Sequence, residues 1–495
     1  MHQETSAEAL EVILHKAKTA ATELKKMSAR QRGSFMRTIG KEIELLGDKL
    51  IHTAMAESHL PEARLTGERA RTIFQWQSYA NAAELGTCLD LRIDTANPSR
   101  TPPKPDLRKM QVPIGPVAVF GASNFPFAFS TAGGDTACAV AAGCPVIVKA
   151  HPAHPKTAAL MEQAILRAVE KCRFPEGTFA QIWDPGIEVA QALVSHPVIK
   201  AVAFTGSFTG GKALFDLANR RKDPIPVFAE MGSVNPVFIL PGKLGADPAA
   251  LAQQFAASVT LGVGQFCTNP GLAIGIEGPD LDQFIAALTQ QVKAVAPANM
   301  LHAGIASNYH ARRSQALQQP GVAAPGISDI TPAEGQGLAT VAVTDAATFL
   351  SNPVLHEEVF GPFSLVVKCA GAAEMLEIAG ALQGQLTATL LATAGDLASN
   401  EELIHHVQDF CGRIIVNNFP TGVDVSLAMH HGGPFPASTD SRFTSVGADG
   451  IRRFSRPLCF QNWPDEFLPD ELKNENPLDL WRVINNETTL EPVKS

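Results

Sequence analysis

Between Val117 and Trp183 short apolar runs take turns with segments of helical period, and this alternation constrains the fold more than any other feature of the chain. Val117–Phe120, Val146–Val148 and Phe179–Trp183 read as strands, with Ser130–Ala142 and Thr157–Lys171 as the helices between them. Strands that are apolar along their whole length are covered on both faces, and strands joined through a helix pair in parallel. The segment therefore predicts a parallel sheet between two helical layers. A further apolar run, Val198–Phe204, leads into Thr205-Gly206-Ser207-Phe208-Thr209-Gly210-Gly211 and a helix-like KALFDLANRR. Free N–H groups and the positive end of a helix dipole then point into one turn, which suits a pyrophosphate. By itself such a turn need bind nothing, and its spacing is not GxGxxG.

The rest of the chain falls around this unit. Leu10, Ile13, Leu14, Ala17, Ala21 and Leu24 predict an amphipathic helix behind Thr5, with Glu8 completing a capping box, and Leu45–Ala56 and Arg64–Tyr79 predict two more helices. Asn97–Pro113 carries five prolines and four basic residues, which implies an extended linker or an exposed edge hairpin. From Asp247 to Asp424 helix and strand signals alternate again, predicting a second α/β domain. The tail Trp463–Ser495 is too poor in apolar residues to form a core. Leu480, Trp481 and Ile484 stand at helical spacing, so a docked helical segment is expected there.

At 495 residues and 45% hydrophobic the chain exceeds what one core organises. A net charge of −9 excludes general attraction to nucleic acid or anionic membranes. The eight cysteines show no CxxC pair or zinc spacing, which implies reduced thiols, no metal and a cytoplasmic setting. The N-terminus lacks a signal-peptide pattern, and no apolar run reaches membrane-spanning length.

Two residues carry candidate chemistry. Cys267 lies in LGVGQFCTNPG, where glycines allow close backbone approach and Pro270 ends regular structure, so the thiol is presented on a tight loop as a candidate nucleophile or, more blandly, is a small apolar side chain beside a turn. Glu230, in PVFAEMGSVNPVFIL, is a carboxylate among apolar residues. Such a group is either paired or raised in pKa, and it serves as a general base or as a cap for nearby N–H groups.

FGASNFPFAFS, PVIVKAHPAHP, FTGSFTGG, FAEMGSVNP, GQFCTNPG, EEVFGPF and IIVNNFPTG occur in the order and at roughly the spacing found in the aldehyde dehydrogenase superfamily, which the chain resembles from about residue 10 to 460. The resemblance implies a Rossmann-like cofactor domain (residues 1–96 and 114–231), a catalytic thiol domain (232–430), an oligomerisation hairpin (97–113) and a C-terminal return with a bridging tail (431–495). It implies Cys267 as nucleophile, Asn124 as side-chain donor to the oxyanion and Glu230 as the base for thioester hydrolysis. For an NAD(P) cofactor it implies Lys149 on the adenosine ribose, Gly206, Ser207 and Gly211 around the pyrophosphate, and Glu358 with Phe360 on the nicotinamide ribose. It also implies a homodimer or homotetramer.

The departures from the family pattern are informative. Many NAD-preferring members carry an acidic residue three positions after the lysine, where this chain has Pro152, so NADP is admissible with NAD also accepted. GAS precedes Asn124 where Pro-Trp is usual, and Ser233-Val234 replaces Gly-Lys. These features, with the long tail, resemble a branch that oxidises 2,5-dioxopentanoate to 2-oxoglutarate; the alternative is an NADP-linked oxidation of fatty or other aliphatic aldehydes. A cysteine hydrolase or acyltransferase would use Cys267 and Glu230 but leave Lys149 and the glycine turn without work, and would want a histidine base.

Overall fold

The computed structural model describes residues 4–493; the first three and last two residues, which the sequence reading assigned to the cofactor domain and the tail, lie outside the described residues. The predicted alternation forms a five-stranded, all-parallel sheet in the order Phe179–Ile182, Val146–Lys149, Val117–Phe120, Ala201–Thr205, Val227–Glu230. Its strands lack polar alternation because each face meets a separate core. Val117 and Val119 pack with Phe35 and Trp76, whereas Ala118 and Phe120 pack with Leu193 and Val202.

A second sheet of seven strands runs in the order Ala323–Ile327, Thr340–Asp345, Phe363–Cys369, Leu272–Ile276, Val237–Ile239, Gln385–Leu391, Cys411–Val416. It is parallel except for its first pair. Phe238 faces one core, and its neighbours Val237 and Ile239 face another.

Four expectations need correction. The first helix, Ala7–Leu24, is capped by Ser6, whose side chain accepts from the Ala9 N–H. Thr5 instead clamps the end of a strand, its N–H donating to the Trp183 carbonyl and its Oγ1 accepting from the Trp183 N–H. The helix expected over Ser130–Ala142 begins only at Gly134. Ahead of it the chain is turned back, and the Phe127 and Ala128 N–H groups donate to the buried Glu68 carboxylate at 2.8 and 3.0 Å.

Leu107–Pro113 is not an edge. It is the second strand of a third sheet, ordered Ser455–Gln461, Leu107–Pro113, Arg92–Asp94, Arg482–Ile484, Glu487–Thr489, and Ser455–Gln461 takes the edge. The tail is docked, but as strand rather than helix. Arg482–Ile484 pairs in parallel with Arg92–Asp94, and Leu468, Leu472 and Leu480 are buried against Leu91, Ile93 and Met110, while Trp481 stays exposed.

Parallel strands bring loops from their carboxyl ends to one rim. Asn124 follows Val117–Phe120, Lys149 ends the next strand, Gly206 follows Ala201–Thr205, and Glu230 ends Val227–Glu230. In register, Phe120 pairs with Lys149 and Phe204, and Thr205 pairs with Glu230. Residues scattered over a hundred positions thus share one edge of one sheet.

Candidate active site

Cys267 reaches this rim from the other sheet, on the loop between the helix Pro248–Thr260 and the strand Leu272–Ile276. Gly262, Val263 and Gly264 all have left-handed backbone, with φ of 54°, 58° and 65°. For a β-branched residue this is strained, so the surroundings must hold the loop in place. Gly264 lies so close to the Gly361–Pro362 peptide that a Cβ would overlap it. The glycines of GQFCTNPG and EEVFGPF are therefore in contact.

A buried amide secures the other side of the loop. Asn235 Nδ2 donates to the carbonyls of Cys267 and Asn269, each at 2.9 Å, and the Asn235 side-chain oxygen accepts from Thr387 and Ser233. Asn269 Nδ2 donates to the Gly361 carbonyl. Gln385 accepts from Ser233 and Val234, tying the same turn to a core strand.

The Cys267 sulfur lies 3.4 Å from His431 Nε2, and that nitrogen lies 3.0 Å from Glu230 Oε1. Oε1 is buried, and this imidazole is its close partner. Ser445 Oγ donates to the other oxygen, Glu230 Oε2, at 2.5 Å. The His431 N–H donates to Thr444 Oγ1, and the His431 carbonyl accepts from the Ser445 N–H. Both His431 and Glu230 are buried, at 1% and 4% exposure.

These contacts decide how the carboxylate and the thiol ionise. Burial pushes Glu230 upward, but the charge of His431 and hydrogen bonds from His431, Ser445 and Cys267 outweigh it and hold Glu230 below its ordinary value. Of the two options open in the sequence, the paired carboxylate is the one found. Burial, followed by the charge of Glu230, the hydrogen bond to it and the charge of Glu358, pushes the Cys267 thiol well above its ordinary value. The resting sulfur is a protonated thiol that needs a base, and two candidate acceptors are in place.

Asn124 joins this group, its Nδ2 donating to the Gln265 carbonyl two residues before the thiol at 3.1 Å and leaving one amide hydrogen free. Arg64 fixes the neighbourhood. Its Nη2 donates to the Asn124 carbonyl at 2.7 Å, and its guanidinium lies 4.6 Å from the Phe125 ring and 4.8 Å from the Phe266 ring.

The residues assigned to a dinucleotide flank the same rim. Lys149 is half-buried, and burial lowers its pKa against the opposing charge of Asp184. Ser207 caps the helix Phe208–Asn219 by accepting from the Gly210 N–H at 3.2 Å. The Gly206 N–H donates to the Glu230 carbonyl, so the glycine turn and the carboxylate strand are tied together. A Cβ on Gly211 would overlap Met231, which places that glycine in helix-on-sheet packing. Glu358 and Phe360 line a pocket with Ser233, Val234 and Asn269. The Glu358 side chain keeps some exposure, but protein encloses its carboxyl, and burial, opposed by the Ser233 N–H, pushes it to about 8. Such a carboxyl is mostly neutral at pH 7. Helix start, half-buried amine and neutral carboxyl together fit a dinucleotide laid along the strand ends.

Nothing in the sequence assigned a role at the site to His431, Ser445, Asn235 or Arg64. His430-His431 before Gly432-Gly433-Pro434 was a visible signal, but it stands 164 residues from Cys267, and only the fold closes that distance. Cys267, Glu230 and His431 are also the only set among the described residues whose ligand atoms could hold a metal ion, all lying within 4.8 Å. A cation there would occupy the lone pairs that thiol chemistry needs.

A half-buried thiol beside an imidazole and a carboxylate, with an amide donor, at the strand ends of a dinucleotide-type sheet is an arrangement suited to nucleotide-dependent enzymes that work through a covalent sulfur adduct. The aldehyde dehydrogenase family profile matches residues 1–455, and the chain belongs to that family. It is an NAD(P)-dependent aldehyde dehydrogenase by that membership. The chain is 49% identical to alpha-ketoglutaric semialdehyde dehydrogenase 2 of Azospirillum brasilense over 453 residues, covering 91% of this chain and 86% of the relative. It is 46% identical to alpha-ketoglutaric semialdehyde dehydrogenase of Acinetobacter baylyi, covering 93% and 88%. Two solved structures share the fold at 17% identity. They are glyceraldehyde-3-phosphate dehydrogenase GapN of Methanocaldococcus jannaschii complexed with NADP (TM-score 0.77, covering 93% and 95%) and succinic semialdehyde dehydrogenase of Streptococcus pyogenes with NADP+ (TM-score 0.78, covering 93% and 96%).

Proposed function

We propose that this enzyme oxidises 2,5-dioxopentanoate to 2-oxoglutarate, with Cys267 as nucleophile and NADP as the preferred acceptor. The observation that carries the mechanism is the contact of Cys267 Sγ with His431 and, through it, Glu230. Relatedness to two α-ketoglutaric semialdehyde dehydrogenases supports the substrate.

The thiol proton passes to the His431–Glu230 pair as the sulfur attacks the aldehyde carbon. The oxygen of the resulting tetrahedral adduct faces the free amide hydrogen of Asn124 and the main-chain N–H of Cys267, a pair of donors of the oxyanion-hole kind. Lys149, the Gly206-Ser207 turn, Glu358 and Phe360 would hold the dinucleotide, whose chemistry when bound would be to accept a hydride; loss of hydride from the adduct carbon leaves a thioester on Cys267. Glu230 then takes a proton from water, the hydroxide attacks the thioester carbonyl, the C–S bond breaks and the thiolate recovers a proton. Retention of Glu230 favours water over coenzyme A as the acyl acceptor.

The histidine beside the thiol gives the hydrolase or acyltransferase reading the base that it lacked in the sequence. The test is absorbance of reduced cofactor with 2,5-dioxopentanoate, succinic semialdehyde, glutaraldehyde and a long-chain aldehyde, each with NADP and NAD. The highest kcat/KM is expected for 2,5-dioxopentanoate. Turnover only of esters or thioesters, without cofactor reduction, would overturn the proposal, and a long-chain aldehyde as best substrate would favour the aliphatic reading.

Cofactor choice is expected to turn on Pro152, which is exposed three positions after Lys149 and offers neither a carboxylate to repel a 2′-phosphate nor an acceptor for a 2′-hydroxyl. Pro152→Glu should shift preference from NADP towards NAD by about 1–3 kcal/mol. A ratio of the two kcat/KM values unchanged by the substitution would assign ribose recognition elsewhere.

We base assembly on two open edges, Cys411–Val416 on the seven-stranded sheet and Ser455–Gln461 on the third sheet. Ile414 and Val416 are exposed on the first. Pairing one edge with the other edge of a second copy hides both. Light scattering at micromolar concentration should report two or four times 52.6 kDa, and a fully active monomer would contradict it. No helix among the described residues is long and apolar enough to cross a membrane, and the proposed setting is the cytoplasm.

A further inference from the structure

Besides Arg64, two guanidinium groups beside the active site pair with no carboxylate among the described residues. Arg71 extends from the long helix Glu62–Leu85, one helical stripe along from Arg64, and Arg413 extends from the strand Cys411–Val416. Each donates to main-chain carbonyls of one loop. Arg71 Nη1 donates to the Val423 carbonyl, and Arg413 donates to the Gly422 and Pro420 carbonyls at 3.3 and 3.0 Å, with Met429 sulfur 3.8 Å away. Neither is in an ion pair with a carboxylate among the described residues. In both, Nε is buried with no acceptor. An arginine has five N–H donors and keeps its charge, so burying it against carbonyls alone leaves much of its binding capacity unused.

Both cations belong to the surroundings of the thiol. Arg413 meets the sulfur of Met429, two residues before His431, whose Nε2 lies 3.4 Å from Cys267 Sγ. The Arg71 guanidinium lies 5.9 Å from the Phe129 ring, which packs edge-on to Phe125, and Phe125 in turn meets Phe266 next to the nucleophile. Glu68 stands between Arg64 and Arg71 on the helix but accepts from Phe127 and Ala128, and burial pushes its pKa upward, so it neutralises neither arginine well. Asp424, on the tethered loop, is exposed.

The reacting carbon must sit on Cys267 Sγ. The far end of a short semialdehyde therefore lies among the side chains that surround that sulfur. We infer that Arg71 and Arg413, bracing the loop Pro420–Met429 from opposite domains, form the subsite for the distal carboxylate of an oxo-acid semialdehyde and so determine specificity for an acidic over a neutral aldehyde. A planar carboxylate matches the fork of a guanidinium, and the aromatic side chains on Phe125, Phe129 and Phe266 suit the carbon chain between the two ends. Arg64 is excluded from this role because it is sandwiched between two rings and donates to Asn124; it is a positioning residue. The inference rests on the proposed substrate.

The test compares kcat/KM for 2,5-dioxopentanoate with that for pentanal, an uncharged aldehyde of the same length, in wild type, Arg71→Met, Arg413→Met and the two Arg→Lys variants. Each Met variant should lower the value for 2,5-dioxopentanoate about 100-fold, mainly through KM, and change that for pentanal less than about threefold; Lys should recover part of the loss. Equal losses with both substrates would mean that the arginines only brace the loop, and a preference surviving in both Met variants would also overturn the subsite. In wild type alone, glutarate should inhibit competitively and more weakly as salt rises, whereas its dimethyl ester should not; inhibition by both equally would overturn the subsite even if a variant fails to fold. A wild-type enzyme without preference for the acidic aldehyde would remove the substrate reading, and the subsite with it.

Discussion

Cys267→Ala is expected to lower aldehyde oxidation at least about 1000-fold while leaving NADP binding within about twofold of wild type. In the proposed mechanism the sulfur bonds the aldehyde carbon, whereas its neighbours His431 and Glu230 act as bases and hydrogen-bond partners. The fold should survive, because Asn235 holds the main-chain carbonyl of residue 267 and not its side chain. The dinucleotide is assigned to Lys149, the Gly206-Ser207 turn and the Glu358 pocket, which the substitution does not touch. Steady-state rates together with a fluorescence titration of NADP separate the two effects. A variant with more than a few per cent of wild-type turnover would remove Cys267 from its assigned role.

Glu230→Gln should give a pre-steady-state burst of reduced cofactor followed by a steady state slowed about 100-fold or more, because the carboxylate is needed for water activation after the hydride has left. The amide can still accept from Ser445 but cannot remove a proton from water. Its effect on the thiol has the opposite sign. Glu230 is one of the groups that raise the Cys267 pKa, so loss of its charge should move the pH profile of Cys267 alkylation by iodoacetamide towards lower pH. Slowed hydrolysis with an easier thiolate is a combination that a general loss of structure would not produce. Burst and steady state falling together, with no shift in alkylation, would assign Glu230 to another function.

How far the sequence carried this depended on whether a signal was local. Val117–Phe120 shows its double burial in four consecutive apolar residues, and Gly206-Ser207 shows its helix start in the turn itself, so both were legible. The helix Ala29–Glu44 went unread although Ser28 and Gln31 form its capping box, because Gly33 and Gly40 interrupt the periodicity. Those positions and Phe35, Met36, Ile39 and Ile43 are buried there. Leu480, Trp481 and Ile484 suggested a helix by spacing, but pairing with Arg92–Asp94 is a tertiary contact that overrides spacing.

The site divides in the same way. Cys267, Glu230 and Asn124 lay in motifs whose order identified the family. His431 and Ser445 act through contacts with residues more than a hundred and fifty positions away, and nothing local marks them as partners of a thiol. Arg71 and Arg413 are two arginines among forty basic residues until the fold turns both towards one loop.

The most direct test of the central claim is to find the acyl group on the chain. Glu230→Gln mixed with 2,5-dioxopentanoate and NADP, quenched in acid during the burst and digested, should yield the peptide bearing Cys267 heavier by the mass of the substrate less two hydrogens, in an amount matching the reduced cofactor formed. Reduced cofactor formed without that adduct, or the adduct on another of the eight cysteines, would contradict a mechanism through Cys267.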